Sequence, residues 1–122
     1  LSCPLTETTK NLINRNNLKL MKKTAVVLNI ARGDIINEKD FYHALKNKLI
    51  GGGIIDTWYK YPSYKSTKKF SPSSYDYHKL DNILMTPHIS AWSEEMIIRR
   101  SRLIAKNIEN FYNDKKLINQ IN

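Results

Sequence analysis

The sequence predicts an α/β fold built on a doubly wound parallel sheet, and three observations carry that prediction. Short apolar runs that suit strands alternate with amphipathic segments that suit helices. The links between the first of these segments are short. The run Val26-Val27-Leu28-Asn29-Ile30-Ala31 stops abruptly at Arg32-Gly33, as expected of a strand buried on both faces and ended by a turn.

Each element has its own justification. Leu1-Ser2-Cys3-Pro4 reads as a strand end, with Pro4 unable to continue a ladder. Asn14 is placed to cap a helix over residues 15–23, with Leu18 and Met21 inward and Lys22 and Lys23 at the negative end. A strand over 25–30 follows. Asn37-Glu38-Lys39-Asp40 then opens a helix with an acidic first turn, and Phe41, Ala44, Leu45 and Leu49 fall on one face. Gly51-Gly52-Gly53 is read as the end of that helix, feeding a second strand at Ile54-Ile55-Asp56.

Residues 57–81 are rich in Ser, Tyr, Lys and Pro without a sustained period, which predicts a long functional loop. Asn82-Ile83-Leu84-Met85-Thr86 is a third strand, stopped by Pro87 and followed by His88. Ser93-Glu94-Glu95 opens the longest helix, over 94–113, whose Ile97, Ile104, Ile108 and Phe111 recur at helical spacing and predict one packed face. Residues 117–122 read as a return segment against another surface. No internal repeat is visible.

A chain of 122 residues with 41% hydrophobic and 25% charged residues suits one modest folded domain. Its 20 Lys and Arg against 11 Asp and Glu give a net charge of +9, but the lysines are scattered and form no long block. No nucleic-acid partner is therefore expected; the field would instead speed encounter with small anions. A single cysteine excludes an internal disulfide, and the apolar runs are too short for a membrane span. A cytoplasmic location without a membrane partner is expected. The chain opens on Leu1, inside what reads as a strand, so residues are expected to precede it.

Three strand ends supply the candidate chemistry: Arg32, Asp56 and His88, in sequence order. Open parallel sheets gather ligand groups beyond the carboxyl ends of their strands. An arginine there can grip a carboxylate in bidentate fashion, and a histidine can exchange a proton near neutrality. An aspartate can accept a hydrogen bond from an amide. Other patterns are weaker. The glycine run lacks the Lys-Ser or Lys-Thr of a phosphate loop. Cys3, His43, His78 and His88 lack metal-ligand spacing, and no serine sits in a nucleophile elbow. The tyrosines and lysines at Tyr59, Tyr61, Tyr64, Lys65, Tyr75 and Tyr77 could stack single-stranded bases, though no groove-forming sheet face accompanies them.

Together, Cys3-Pro4-Leu5-Thr6 with Thr9, Leu12-Ile13-Asn14, Asn29-Ile30-Ala31-Arg32-Gly33, Gly51-Gly52-Gly53-Ile54-Ile55-Asp56 and Asn82-Ile83-Leu84-Met85-Thr86-Pro87-His88 resemble the C-terminal half of the D-isomer-specific 2-hydroxyacid dehydrogenases. The resemblance implies the distal half of a Rossmann-like sheet in residues 1–92, with the long loop 57–81. It further implies a helix and tail in 93–122 that return toward a substrate domain outside the chain. It implies reversible hydride transfer between NAD or NADP and a small 2-oxo or 2-hydroxy acid, in a parent that is a homodimer. Arg32 would bind the substrate's carboxylate and carbonyl oxygen, and His88 would be the acid/base. Ile30, through its backbone, and Asp56 would hold the nicotinamide carboxamide. Ala31, Arg32 and the 88–91 turn, including Ala91, would line that pocket, while Cys3, Pro4 and Thr9 would lie along the cofactor.

Two departures from the family pattern stand out. Its glycine-rich phosphate fingerprint and ribose-binding acid are absent from these residues, so the chain alone is not expected to bind cofactor well or to catalyse. The family also places a glutamate before a proline to hydrogen-bond the histidine, and here Tyr61 precedes Pro62. A tyrosine supplies no charge, so oxo-acid reduction is expected to favour lower pH than in relatives with the glutamate; Asp76 is an alternative acid. A non-catalytic NAD-binding regulator of the same fold is the competing reading, and retention of both Arg32 and His88 weighs against it.

Overall fold

Three short strands, β1 (Val26–Asn29), β2 (Gly52–Ile55) and β3 (Ile83–Met85), pair in parallel in that order in the computed structural model, which describes residues 1–63 and 70–121. The register aligns Leu28 with Ile54 and Leu84, and Asn29 with Ile55 and Met85. Ladder bonds continue one residue further, from Asp56 N–H to the Asn29 carbonyl (3.0 Å) and from Thr86 N–H to the Ile55 carbonyl (2.9 Å). All three strands therefore end at one edge. Beside β1, the Leu1 amine donates to the Leu28 carbonyl (2.6 Å) and Ile30 N–H donates back to Leu1 (3.4 Å), so the chain start lies along the first strand.

The crossover from β1 to β2 is α2 (Glu38–Lys46). Asn37 caps it by accepting from Asp40 N–H (3.1 Å), and Glu38 and Asp40 sit at its positive end. Its buried Phe41, Ala44 and Leu45 join Val27, Ile36, Ile50, Ile55 and Tyr77 in the core. The predicted helix over 15–23 is only the single turn α1 (Arg15–Leu18), with Leu18 buried. Asn14 and Asn17 form a reciprocal capping box, and the following residues turn rather than continue the helix.

The glycine run does not end α2. Asn47 is its C-cap, and Lys48 takes the left-handed conformation (φ 50°) that turns the chain. Gly52 and Gly53 lie inside β2, and no described glycine has a positive φ. Their role is space: a Cβ at Gly53 would stand 2.7 Å from the Phe41 ring, and one at Gly52 would stand 2.9 Å from the Asn82 carbonyl. The glycines let α2 and the neighbouring strand close onto β2.

The first strand is covered on one face, not two. Val27 and Asn29 are buried, whereas Val26 and Leu28 remain 58% and 42% exposed. The Leu28–Ile54–Leu84 row lies on the open face, because α2 packs on the other. Strand composition alone could not say which face a helix would cover.

The long loop is partly ordered by aromatic packing. Tyr77, in a short 3-10 turn (Tyr77–Lys79), is buried, stacks on Tyr59 and donates to the Glu38 carbonyl (2.9 Å). The Glu38 carboxylate in turn accepts from Ser73 Oγ and Ser74 N–H, both at 2.7 Å. Tyr59, Tyr75 and Tyr77 thus serve packing; Tyr64 and Lys65 lie outside the described residues.

The chain divides into two compact units, Leu1–Ser90 and Ala91–Asn122. The second consists of α3 (Glu94–Tyr112) and its tail. Ser93 caps the helix by accepting from Met96 N–H (3.2 Å). The Ile97, Ile104, Ile108 and Phe111 face is exposed rather than packed. The described part of the tail folds back on its own helix: Asn107 pairs with Ile118 through two hydrogen bonds (2.8 and 3.1 Å), and the buried Asn110 donates to the Lys116 carbonyl (3.0 Å). No described helix is long and apolar enough to cross a membrane.

Candidate functional site

The edge where the three strands end carries two groups of predicted residues. The first surrounds Arg32. Asn29, the last residue of β1, is buried, and its side chain ties the turn beyond it: Nδ2 donates to the Arg32 carbonyl (2.8 Å) and Oδ1 accepts from Ala31 N–H (3.1 Å). The Arg32 side chain stays exposed, with Nη1 donating to the Ala31 carbonyl (2.6 Å). Cys3, Pro4, Ile30, Ala31 and Arg32 line one open cavity of about 580 Å³. Thr9 does not line it but organises its wall, since Oγ1 donates to the Pro4 carbonyl and accepts from Thr6 N–H, both at 2.7 Å.

The second group surrounds His88. Its backbone is left-handed (φ 60°), a conformation that few residues other than glycine adopt. Asp56, 1% exposed, sits directly beneath this turn. Oδ1 accepts from Thr86 Oγ1 (2.6 Å) and Ile89 N–H (2.8 Å), and Oδ2 accepts from Ser90 N–H (3.0 Å) and from the Ser90 hydroxyl. Burial raises the carboxyl's pKa, but the Ser90 and Thr86 hydroxyls and the two backbone amides together hold it well below the usual carboxylate range.

The His88 ring meets Tyr61, whose hydroxyl lies 3.1 Å from Nδ1. That hydroxyl also accepts from Trp58 N–H (3.2 Å). Asp76, the alternative acid, instead pairs with Lys79 at 2.7 Å. Among the described residues, no hydrogen bond joins Arg32 to His88. Ala91 belongs to the second unit.

Trp58 links the two groups, and sequence reasoning missed it. Its indole Nε1–H donates to the Thr86 carbonyl (2.9 Å), two residues before His88. Its own carbonyl lies so close to Gly33 that a Cβ there would stand 2.4 Å away. Trp58 thus touches the Arg32 loop on one side and the His88 turn on the other. Its position two residues after Asp56 was the available signal. Ser90 was read within the 88–91 turn, but its bond to Asp56 was missed, because that partner lies 34 positions earlier. Among the described residues, no group of His, Cys, Asp and Glu could hold a metal.

A parallel sheet whose strand ends carry an arginine beside an open cavity, a clamped aspartate and a histidine has the layout in which open α/β proteins gather ligand groups. Residues 1–90 match the family model described as D-isomer specific 2-hydroxyacid dehydrogenase, NAD binding domain, and the chain belongs to that family. A glyoxylate reductase from Pyrococcus horikoshii is 39% identical over 108 residues, which cover 88% of this chain and 30% of that protein. A D-3-phosphoglycerate dehydrogenase from Methanocaldococcus jannaschii is 33% identical across 100% of this chain and 22% of its own length. The solved D-isomer specific 2-hydroxyacid dehydrogenase from Lactobacillus delbrueckii ssp. bulgaricus, in its NAD complexed form, shares a TM-score of 0.86 at 26% identity, covering 100% of this chain and 39% of that one. The chain thus spans about a third of the length of most of these relatives.

Proposed function

We propose that this chain supplies the substrate-binding arginine and the acid/base histidine of an NAD(P)-dependent D-2-hydroxyacid dehydrogenase. The observation that supports the reading is that Arg32 and His88 follow the two outer strands of one parallel sheet, β1 and β3, with their turns tied by the buried Asn29 and Asp56 respectively.

The residues present suit the nicotinamide end of the cofactor. The cavity beside Arg32 is open and lies at the strand ends, and its volume falls within the usual range for ligand sites. Cys3, Pro4, Ile30, Ala31 and Arg32 would hold that end, with Thr9 bracing the wall. When bound, the nicotinamide supplies or accepts the hydride exchanged with the substrate's second carbon.

The chain's own groups do the rest. Arg32 binds the oxo acid's carboxylate and polarises the neighbouring carbonyl, and its exposed guanidinium retains donors for both. In reduction, the His88 imidazolium gives its Nε2 proton to the forming alkoxide. The proton left on Nδ1 is then directed at the Tyr61 hydroxyl. In oxidation the same Nε2 removes the hydroxyl proton.

The surrounding protein is further proposed to be cytoplasmic and homodimeric, with small 2-oxo or 2-hydroxy acids as partners rather than nucleic acid or membrane. Residues 1–92 form the C-terminal part of its NAD(P)-binding domain, and 93–122 pack toward a substrate domain. The test is oxo-acid reduction by the native protein with NADH and NADPH. Turnover that His88→Ala abolishes supports the reading. Dinucleotide binding without turnover by the native protein favours the regulator instead.

A further inference from the structure

The Tyr61–His88 contact joins two segments that leave different strands of the sheet. Tyr61 belongs to a stretch, 56–63, that forms no helix or strand, and at 51% exposure burial does not fix its side chain. The Tyr61 hydroxyl is held instead by the Trp58 N–H (3.2 Å). His88 lies two residues beyond Thr86, whose carbonyl accepts from the Trp58 indole Nε1–H (2.9 Å). One residue therefore ties both members of the pair.

The contacts close a ring. It runs from the Trp58 N–H to Tyr61 Oη, on to His88 Nδ1 (3.1 Å), back along the chain to Thr86, and through the Thr86 carbonyl to the indole. The imidazole cannot swing away without breaking one of these links. Trp58 is a firm anchor for them: its ring meets the buried Tyr77 edge-on (6.4 Å, 76°) and packs against the core. Thr86 is held on its other side by the ladder bond from its N–H to the Ile55 carbonyl (2.9 Å). Packing alone would need only an aromatic ring; the indole N–H is the donor that closes the circuit.

We propose that Trp58 is a positioning residue for His88: its indole and backbone N–H groups together fix where the imidazole stands against Tyr61. The proposal rests on the dehydrogenase reading above. This role is separable from the Arg32 side, because the Trp58 backbone carbonyl makes the contact with Gly33 and survives a change of side chain.

The experiment compares the native protein with Trp58→Phe, Tyr61→Phe and the double variant, by oxo-acid kinetics and by NMR of isotope-labelled histidine rings. The His88 signals are those lost in His88→Gln. In Trp58→Phe, kcat falls about tenfold or more, whereas KM for the oxo acid and the dinucleotide dissociation constant stay unchanged. The His88 Nδ1 resonance moves toward its position in Tyr61→Phe. The double variant loses no more kcat than Tyr61→Phe alone, since either change opens the same ring. Should Trp58→Phe fail to fold, benzothienylalanine at position 58, with sulfur in place of the N–H, carries the same comparison. An unmoved Nδ1 resonance or an undiminished kcat in Trp58→Phe overturns the positioning role, as do fully additive losses in the double variant. Absence of turnover in the unsubstituted protein overturns the dehydrogenase reading, and the positioning role with it.

Discussion

The Tyr61 hydroxyl stands 3.1 Å from Nδ1 of His88 and simultaneously accepts the Trp58 N–H. A hydroxyl can donate as well as accept, so this contact tolerates a proton on either imidazole nitrogen. A carboxylate in the same place would only accept, fixing the proton on Nδ1 and leaving Nε2 free to act as base. It would also stabilise the imidazolium. The other acids nearby are engaged elsewhere: Asp56 with Thr86, Ile89 and Ser90, and Asp76 with Lys79. Tyr61→Glu is therefore expected to raise the pH at which oxo-acid reduction declines by about one unit. A pH–rate profile checks it, and an unmoved limb contradicts the charge argument.

Asp56 makes a pH prediction of its own, on stability. Its folded pKa is depressed, so its contribution is present above the unfolded value of about 4 and is lost as pH falls toward the folded one. Asp56→Asn should destabilise the chain by about 2 kcal/mol at neutral pH. The gap from the parent should narrow as the pH drops below about 4. Urea titrations at several pH values read both.

Gly33→Ala tests the contact between the Arg32 loop and Trp58. The new Cβ would stand 2.4 Å from the Trp58 carbonyl oxygen and 2.8 Å from Tyr59 N, both backbone atoms that cannot rotate away. Overpacking of this kind costs roughly 1–3 kcal/mol, and it would displace the turn that carries Arg32. The expected signature is a lower melting temperature together with a raised KM for the oxo acid.

Asn29→Ala removes both ties across that same turn and leaves the Ala31 N–H and the Arg32 carbonyl without their side-chain partner. A loss of about 2 kcal/mol is expected by denaturant titration.

Much of this site was legible from the residues. Arg32, Asp56 and His88 each follow an apolar strand, and parallel strands deliver their ends to one edge whatever packs around them. The roles of neighbouring residues were less visible. The glycine run reads as a helix end because glycine is common there, yet Gly53 admits the Phe41 ring and Gly52 the Asn82 backbone just before β3, contacts that exist only once distant parts of the chain have packed against the strand. Tyr77 looked like part of an irregular loop; its burial depends on Phe41, Tyr42 and Trp58 meeting it from distant positions. The apolar periodicity of α3 was real, but periodicity records a face and not its cover, and that face is exposed.

The most direct test of the central claim is the kinetics of Arg32→Ala in the native protein, with a 2-oxo acid as substrate and dinucleotide binding measured separately. Loss of a bidentate charged contact to a carboxylate predicts a fall in kcat/KM of about a hundredfold or more, with the dinucleotide still bound. An unchanged kcat/KM for the oxo acid would contradict the assignment of Arg32 as the carboxylate grip.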